Sequence, residues 1–431
     1  KKNKKTVYLL MNFKKIKIIG DTMLDQWLEG SYNKISSEAP INIFQKKKLN
    51  NSLGGAGNLC VNLKSLGIKF KLYSEIGKDK YGKEVKKILK DKNISFDLVK
   101  KKKKTTIKKR YFISGNQIFR EDKEDIKINK IIGNRLLKNL KSNDIVVFSD
   151  YNKGSIYKNL HSKVIKKKCI TFIDPKNNPN FYKNAFLVKP NMEKFTEWCG
   201  KFSRKKAFKL LKTMKWTWLV VSNSKNGVHV FNKLGKYNYY RVKDIKEPNV
   251  VGAGDIFFSG IIFKYLINLD LFTAVELASY AATKCVNKKK IRNINKDDFK
   301  KDLVFTNGVF DILHKGHVDL LKFCKKIGKK TVVGINIDKS VKNIKGNDRP
   351  FNNLKIRIRN INKTKLVDKI ISFKESNPLR LINSVKPDVI VKGSDYKFNQ
   401  IVGSKNYNAL IFKIKKKIST TKILENLNKI E

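Results

Sequence analysis

The chain has 431 residues, of which 41% are hydrophobic and 10% aromatic, so it can bury a large core and is not a disordered protein. Its length favours two or three domains. Lysine and arginine (96) outnumber aspartate and glutamate (36), which gives a formal net charge of +60. Because 10 of the 96 are arginine, the residue that base readout favours, we attribute the excess to lysine drift in an AT-rich genome rather than to a nucleic-acid surface.

The cysteines show no metal-binding pattern. They are scattered, without a C-x-x-C pair or a nearby histidine at zinc spacing, and are expected to be buried or free thiols in a reducing compartment: Cys60, Cys169, Cys199, Cys285 and Cys324. No apolar run approaches the ~18–20 residues that a membrane span needs. The basic opening of residues 1–15 holds only a short apolar run and indicates a ragged start rather than a signal peptide. We therefore expect a soluble, cytoplasmic protein.

Short β-branched strands alternate with helical segments through the first two thirds of the chain. Strands are predicted at 15–21, 144–151, 169–175 and 218–224, and helices at 56–66, 81–92 and 271–286. Such alternation is typical of a parallel α/β sheet. Residues 35–48 and 105–121 are expected to be extended and to form a small β-layer beside the main sheet.

A second series of strands and helices begins near Leu303. Strands are predicted at 303–308, 331–336, 367–373 and 388–393, with a helix from His317. The fold class is therefore two successive doubly wound α/β domains, predicted over 1–298 and 302–431, with a short polar connection at 293–302.

The segment VVGAGD at 250–255, followed by an apolar helical run, indicates a phosphate site. Small residues let backbone amides converge at a helix N-terminus, where they can hold a phosphoryl group. Asp255 at the same helix start is placed to accept a proton from an attacking hydroxyl. Taken alone, the segment is equally compatible with a glycine turn in which Asp255 is an ordinary helix cap.

Further polar strings follow the strands: GDTMLD at 20–25, KISSEAPINI at 34–43, GGAGN at 54–58, SDYNKG at 149–154 and IDPK at 173–176. In this order they resemble the ribokinase-like sugar kinases, most closely the kinase half of the bifunctional heptose enzymes of lipopolysaccharide core synthesis. The resemblance implies that Asp255 is the catalytic base. It implies an anion hole at Gly252, Ala253 and Gly254, sugar binding by Asp25, Gly55 and Asn58, and ATP binding by Asn191, Met192, Glu193 and Lys194.

Three positions depart from the family pattern. Lys194 stands where the family has glutamate, and Asn249 and Val251 stand where it usually has Asp and Thr. These departures affect the ionic surroundings of ATP and leave the proposed base unchanged.

The segment NGVFDILHKGH at 307–317 is the second chemical signal. An H-x-G-H pattern at a helix start aims two imidazoles at one point, and glycine lets a phosphate approach the backbone. Zinc binding and a purely structural capping turn are the alternatives; no third zinc ligand lies within motif spacing. With GNDRP at 346–350, VKGSDY at 391–396 and ISTT at 418–421, the segment resembles the nucleotidyltransferase family.

That resemblance implies an in-line attack by a sugar 1-phosphate on the α-phosphorus of a nucleotide, with no covalent intermediate. His314 and His317 would contact the triphosphate, and Lys345 or Arg349 the departing phosphates. Ser419, Thr420 and Thr421 would hold the α-phosphate or the nucleotide. The remaining expected phosphate contacts are Asn307, Gly308, Phe310 and Gly316.

Both resemblances together point to the bifunctional heptose enzyme family of Gram-negative-type bacteria. They imply C1 phosphorylation of D-glycero-β-D-manno-heptose 7-phosphate and AMP transfer to heptose 1-phosphate. ATP is then a substrate of both halves, with Mg²⁺, and no zinc, haem or flavin is expected. We expect small-molecule sugar-phosphate partners, no nucleic acid, no membrane and a homodimer. The alternatives are an eroded kinase half kept as a scaffold and, less favoured, a basic nucleic-acid-binding protein.

Overall fold

A computed structural model describes residues 16–101, 104–243, 245, 251–286 and 292–413. By its internal contacts the chain divides into two compact units, Lys1–Asn295 and Lys296–Glu431. Each is a layered α/β structure with its own core.

Unit 1 is built on a nine-stranded sheet. Its strands are β1 Ile16–Gly20, β4 Phe70–Gly77, β5 Phe96–Lys101, β8 Ile145–Ser149, β9 Ile170–Asp174, β10 Leu187–Val188, β11 Trp218–Ser222, β12 Val228–Asn232 and β13 Tyr237–Tyr240. Their order is β13-β12-β11-β10-β9-β8-β1-β4-β5, parallel except at the edge, where β12 runs antiparallel to β11 and β13.

A second, four-stranded sheet contains β2 Thr22–Ile35, β3 Asn42–Gly55, β6 Ile107–Ile113 and β7 Asn116–Lys123. Its order is β3-β2-β6-β7. This is the small β-layer expected from the sequence, but it is longer than the two predicted segments. Gly20 ends β1, and Asp25 lies inside β2 rather than at the end of the first strand.

Three helices of unit 1 begin at a polar side chain that caps them. Asp79, Asn191 and Ser203 each accept a hydrogen bond from a first-turn amide, which caps the helix that follows. The helices are α1 Ala56–Ser65, α2 Lys80–Asp91, α3 Ile131–Lys138, α4 Leu160–Lys166, α5 Met192–Cys199, α6 Arg204–Thr213, α7 Ala253–Leu266 and α8 Leu271–Val286. Helix α7 is apolar on all sides and is buried from Asp255 to Phe263.

The core of unit 1 joins the main sheet to its helices. It includes Phe148 on β8, Ile173 on β9, Leu219 on β11 and Phe231 on β12, all fully buried. Trp216 completes this cluster, and its indole nitrogen donates to the carbonyl of Tyr182 at 2.7 Å. Close packing of buried side chains of this kind restrains the strand ends and the loops that follow them.

Unit 2 has a fully parallel five-stranded sheet. The strands are β14 Lys301–Gly308, β15 Gly328–Asn336, β16 Lys369–Phe373, β17 Val389–Gly393 and β18 Ala409–Phe412, and the helices are α9 Lys315–Ile327, α10 Asp338–Lys345, α11 Leu354–Lys363 and α12 Leu379–Val385. The strand order is β16-β15-β14-β17-β18. Two apolar clusters lie against the sheet, one around Phe305 and Ile390 and the other around Leu321 and Val333.

All five cysteines are free, and four of them are buried. Among the described residues, no helix combines the length and the apolar character needed to cross a membrane.

Candidate active sites

The carboxylate of Asp255 is buried in the first turn of α7 and held by two neutral donors. The Asn58 side-chain amide donates to it at 2.7 Å and the Tyr151 hydroxyl at 2.8 Å. Burial raises the pKa of the Asp255 carboxyl to about 7, and Asp174 acts in the same direction, while the two hydrogen bonds act against it. A carboxyl whose pKa is raised toward neutrality suits a side chain that accepts and returns a proton.

Gly252 precedes α7 in a left-handed conformation, with φ of 73°. A Cβ atom built on it would lie 2.7 Å from the Asn58 amide nitrogen, so a larger residue would displace a donor of Asp255. Gly254, by contrast, faces open space. The backbone at this helix start is therefore accessible to a ligand, as a phosphate site requires.

Two further carboxylates after the strands organise loops. Asp21, which follows β1, accepts from the backbone amides of Tyr151 and Lys153 at 3.0 Å and of Ser155 at 2.9 Å. Asp150, which follows β8, accepts from the Asn177 amide at 3.0 Å and from the Tyr182 hydroxyl. Their acceptor sites are occupied by the protein, so they position Tyr151 and the 174–177 loop.

Asp25 and Asn58, both predicted to bind sugar, reach the site from different elements. Asp25 on β2 is buried and forms an ion pair with Arg110 of β6 at 3.2 Å. Burial raises the pKa of Asp25, although Arg110 and Lys108 oppose the rise. Gly55, the residue before α1, has φ of 59°, and a Cβ there would approach the Asp21 carbonyl to 2.3 Å. Position 55 therefore requires glycine because of its backbone conformation and the close approach of the Asp21 carbonyl.

A buried ion pair lies at the ends of the next two strands. Lys189, directly after β10, contacts the Asp174 carboxylate at 3.1 Å. Burial raises the pKa of Asp174, and Lys189 opposes this. The charges of Asp174 and Lys189 both shift the pKa of Asp255, so the three side chains share one electrostatic environment.

The segment predicted to bind ATP opens α5. The Asn191 side chain accepts from the Lys194 amide at 2.9 Å and caps the helix. The Lys194 ammonium contacts Glu197 at 2.5 Å, and the Lys194 side chain is only 12% exposed. Met192 packs against the core of unit 1, and Glu193 lies in the first turn. The positive charge of Lys194 is therefore largely compensated by a carboxylate one turn further on.

In unit 2, His314 caps α9 and His317 lies in its first turn. The Nδ1 atom of His314 accepts from the Gly316 amide at 3.1 Å, and the two imidazoles stack with centroids 3.9 Å apart. Phe310 packs against His317 at 5.0 Å. Burial and the neighbouring His314 lower the pKa of His317 to about 4, and burial also lowers the pKa of His314. Both rings are mostly neutral at pH 7, and arrival of an anion would favour their protonation.

The loop before α11 is tied to the loop after β14 by Asp311. Its buried carboxylate accepts from the amides of Phe351 and Asn352, at 2.9 and 2.8 Å, and contacts the Arg349 guanidinium at 3.2 Å. Lys345 at the end of α10 is close enough to His317 to lower its pKa. The structure thus brings Arg349 and Lys345 to the two-histidine segment.

Arg357 is a structural residue that the sequence analysis missed. It is fully buried in α11, and its guanidinium donates to the carbonyls of Val309 at 2.7 Å and Asn336 at 2.8 Å. It also contacts Asp338 at 2.6 Å. An arginine four residues before the buried Ile361, on the same helix face, is the sequence signal that could have revealed it.

The structure also places Tyr151, Lys189 and Lys392 at the candidate sites, although the sequence analysis assigned none of them an individual role. Each follows or ends a strand, so its proximity to the site depends on the sheet order. The predicted Ser419, Thr420, Thr421 and Asn249 lie outside the described residues. Within the described ranges, no cluster of three or more His, Cys, Asp or Glu side chains is placed to hold a metal ion.

The two units match two known protein families. Residues 14–298 match the pfkB family of carbohydrate kinases, and residues 305–426 match the cytidylyltransferase-like family. The chain is therefore an enzyme that combines a carbohydrate kinase domain with a nucleotidyltransferase domain, and both families use ATP or related nucleotides. The prediction of a ribokinase-like domain followed by a smaller nucleotidyltransferase domain is confirmed.

Relatives that match over nearly the whole chain identify the family more closely. The chain is 32% identical to the bifunctional protein HldE of a Nitratiruptor species, over 90% of this chain and 94% of the relative. It is 34% identical to the bifunctional protein HldE of Campylobacter jejuni (strain RM1221), over 96% of this chain and 97% of the relative. The chain belongs to the HldE family of bifunctional proteins.

Solved structures agree on the fold of unit 1. Phosphofructokinase-2 from Escherichia coli superposes with a TM-score of 0.58 at 18% identity, over 66% of this chain and 97% of that chain. Ribokinase of Arabidopsis thaliana, solved with ribose and ATP, gives 0.53 at 15% identity, over 66% and 97%. At these identities the likeness establishes the fold.

The raised pKa of Asp255 predicts a pH-dependent stability difference for Asp255→Asn. Because the folded pKa, about 7, exceeds the ordinary value of 3.8, the wild-type carboxyl favours folding when protonated, and this contribution is lost as the pH rises from about 4 to about 7. Asparagine does not titrate. We expect the melting temperature of Asp255→Asn relative to wild type to be higher at about pH 8 than at about pH 5. A difference that is constant across this range in calorimetry would contradict the shifted pKa.

Proposed function

We propose that the chain carries out two steps of ADP-heptose synthesis. Unit 1 phosphorylates D-glycero-β-D-manno-heptose 7-phosphate at C1 with ATP, and unit 2 transfers AMP from ATP to D-glycero-β-D-manno-heptose 1-phosphate, releasing pyrophosphate. A separate enzyme must remove the 7-phosphate between these steps. We assign residues 1–298 to the kinase domain and 302–431 to the nucleotidyltransferase domain, and place the protein in the cytoplasm, where ATP is available.

The observation that carries this proposal is the match to HldE proteins over nearly the whole length of both chains. It favours two active halves over an eroded kinase or a nucleic-acid-binding protein. The buried Asp255, held by Asn58 and Tyr151, supports the kinase half in particular.

In the kinase half, the C1 hydroxyl oxygen attacks the γ-phosphorus of ATP, and the bond from that phosphorus to the bridging oxygen of ADP breaks. Asp255 accepts the hydroxyl proton, and Asn58 and Tyr151 keep its carboxylate in place. Amides at the start of α7, around Gly252, Ala253 and Gly254, offset charge on the transferring phosphoryl group. Asp25 and Asn58 bind sugar hydroxyls. Mg²⁺ enters with ATP as part of the substrate complex.

In the nucleotidyltransferase half, a phosphate oxygen of the sugar 1-phosphate attacks the α-phosphorus of ATP in line, and pyrophosphate leaves. His314 and His317 contact the triphosphate, and Lys345 and Arg349 the departing phosphates. Asn307, Gly308, Phe310 and Gly316 shape the phosphate pocket. Ser419 to Thr421 would hold the α-phosphate or the nucleotide.

We expect that a single substitution can strongly reduce either activity without affecting the other. Asp255→Asn removes the base and should lower kinase turnover by roughly 10²–10⁴-fold while adenylyl transfer stays near normal. His314→Ala should do the reverse. Coupled assays of ADP release and pyrophosphate release on the same purified proteins measure both. Loss of both activities from either single change in a folded protein would refute two independent sites.

Lys194→Glu is expected to lower the Mg²⁺ concentration that gives half-maximal kinase rate. The lysine repels Mg²⁺ and attracts phosphate, and its contact with Glu197 at 2.5 Å moderates that effect. Adenylyl transfer should not change. Lys201→Glu, on an exposed residue just past the same helix, controls for a general change of surface charge. If wild type lacks kinase activity at every Mg²⁺ concentration and Lys194→Glu restores it, the eroded-kinase alternative is correct.

We propose further that the protein is a homodimer joined through the four-stranded sheet. Apolar side chains on this sheet and its connections lie open to solvent, among them Ile35 (70% exposed), Ile41 (62%) and Phe119 (60%). Several exposed apolar side chains on one sheet commonly mark an interface.

The double variant Ile35→Lys, Phe119→Lys should shift the protein from dimer to monomer in light scattering coupled to gel filtration. Leu234→Lys, at an equally exposed apolar residue between β12 and β13, should leave the mass unchanged. A monomeric wild type, or a dimer that survives the double variant, would rule out this interface.

A further inference from the structure

Lys392, at the end of β17, differs from two other buried lysines of this chain, Lys17 and Lys189. Lys17 and Lys189 each form an ion pair with an aspartate. Lys392 is 7% exposed, and its ammonium donates one hydrogen bond, to the backbone carbonyl of Asn307 at 2.8 Å. Within residues 292–413 it forms no ion pair, and its ammonium lies 4.7 Å from the centroid of the Tyr396 ring.

An ammonium has three donors, so two of them remain available to a ligand. Burying a lysine without a counter-ion disfavours its charged form. Accordingly, burial lowers the pKa of Lys392 to about 8, with Asp395 acting in the opposite direction. A buried cation in this state destabilises the free protein, and an anion bound beside it would relieve that penalty.

The position of Lys392 in the sheet indicates which anion that is. The chain runs from β14 to β15 and β16 on one side, then returns to β17 and β18 on the other, so the strand order reverses between β14 and β17. In open parallel sheets, ligands bind in the crevice at this reversal, beyond the carboxyl ends of the strands.

The crevice is visible in the strand pairing. Strand β14 pairs with β15 as far as Gly308, but it pairs with β17 only at Val304 and Phe305. Beyond these residues the two strands separate, and the Lys392 side chain spans the gap to Asn307. The side-chain Oδ1 atom of Asn307 is buried and has no hydrogen-bond partner among the described residues. The H-x-G-H segment starts six residues after the end of β14 and begins α9, which packs against β14 and β17.

We infer that Lys392 binds the α-phosphoryl group that is transferred in the nucleotidyltransferase half and is therefore a catalytic residue of that reaction. This inference rests on the proposed adenylyl transfer. As the sugar phosphate oxygen bonds to the α-phosphorus and the bond to the pyrophosphate oxygen breaks, Lys392 offsets charge on the non-bridging α-phosphate oxygens. It keeps its proton throughout, so no acid or base step is required of it.

Lys392→Met tests the inference on the full chain. Adenylyl transfer should fall by roughly 10²–10³-fold in kcat, the loss typical of removing one transition-state donor. The kinase rate should be unchanged, because Lys392 belongs to unit 2. The melting temperature of unit 2 should not fall, since methionine needs no counter-ion when buried. Lys397→Met, an exposed lysine in the same segment, is the matched control and should behave as wild type.

A second variant separates charge from packing. Lys392→Ala should regain part of its lost rate when ethylammonium is added, whereas a lysine that merely braces β17 against β14 would show no such rescue. A Met variant that transfers AMP as fast as wild type would overturn the inference. So would a Met variant that loses stability and activity together, with an Ala variant that ethylammonium does not rescue. A wild type that transfers no AMP to heptose 1-phosphate would instead overturn the proposed function, and this inference with it.

Discussion

Burial of charge at the carboxyl ends of parallel strands is the constraint around which both units are organised. In unit 1 the Asp255 carboxylate is buried away from water. Two neutral hydrogen-bond donors and a more distant lysine stabilise its charged form. The raised pKa follows from that environment. A carboxylate with full solvation would be a weak base, and one with an adjacent cation would be weaker still. The burial of the α7 start, which removes Asp255 from solvent, is thus as relevant to chemistry as the carboxylate itself.

Around this group, other buried charges have structural tasks. Asp21 and Asp150 bind backbone amides of the loops that follow β8 and β9, and so place Tyr151 against Asp255. In unit 2, Asp311 and Arg357 do equivalent work for the loops beside the two histidines. Groups whose hydrogen bonds are all supplied by the protein hold the site in shape, whereas those with open donors or acceptors remain for substrate.

Unit 2 uses the same principle with opposite charge. Its phosphate-binding candidates are neutral histidines and a lysine with a lowered pKa, all poised to gain charge stabilisation from an incoming triphosphate. Binding of a triphosphate would stabilise their charged forms, and their burial reduces the screening of that interaction by salt. The high lysine content of the surface contributes little to this, since solvent and ions screen exposed charges.

Local patterns in the sequence were sufficient for the two α/β domains and for the glycine-containing helix starts at Gly252 and Gly316, because period, capping and turn chemistry involve neighbouring residues. They also placed Asp255, His314 and His317 at helix starts. These local patterns could not identify contacts between residues that are far apart in the sequence. The contact of Asn58 with Asp255 spans 197 positions and that of Lys392 with Asn307 spans 85, and both depend on the order of strands in a sheet. Asp25 shows the same dependence: its place inside β2 follows from pairing with β3 and β6, which no short stretch of sequence encodes.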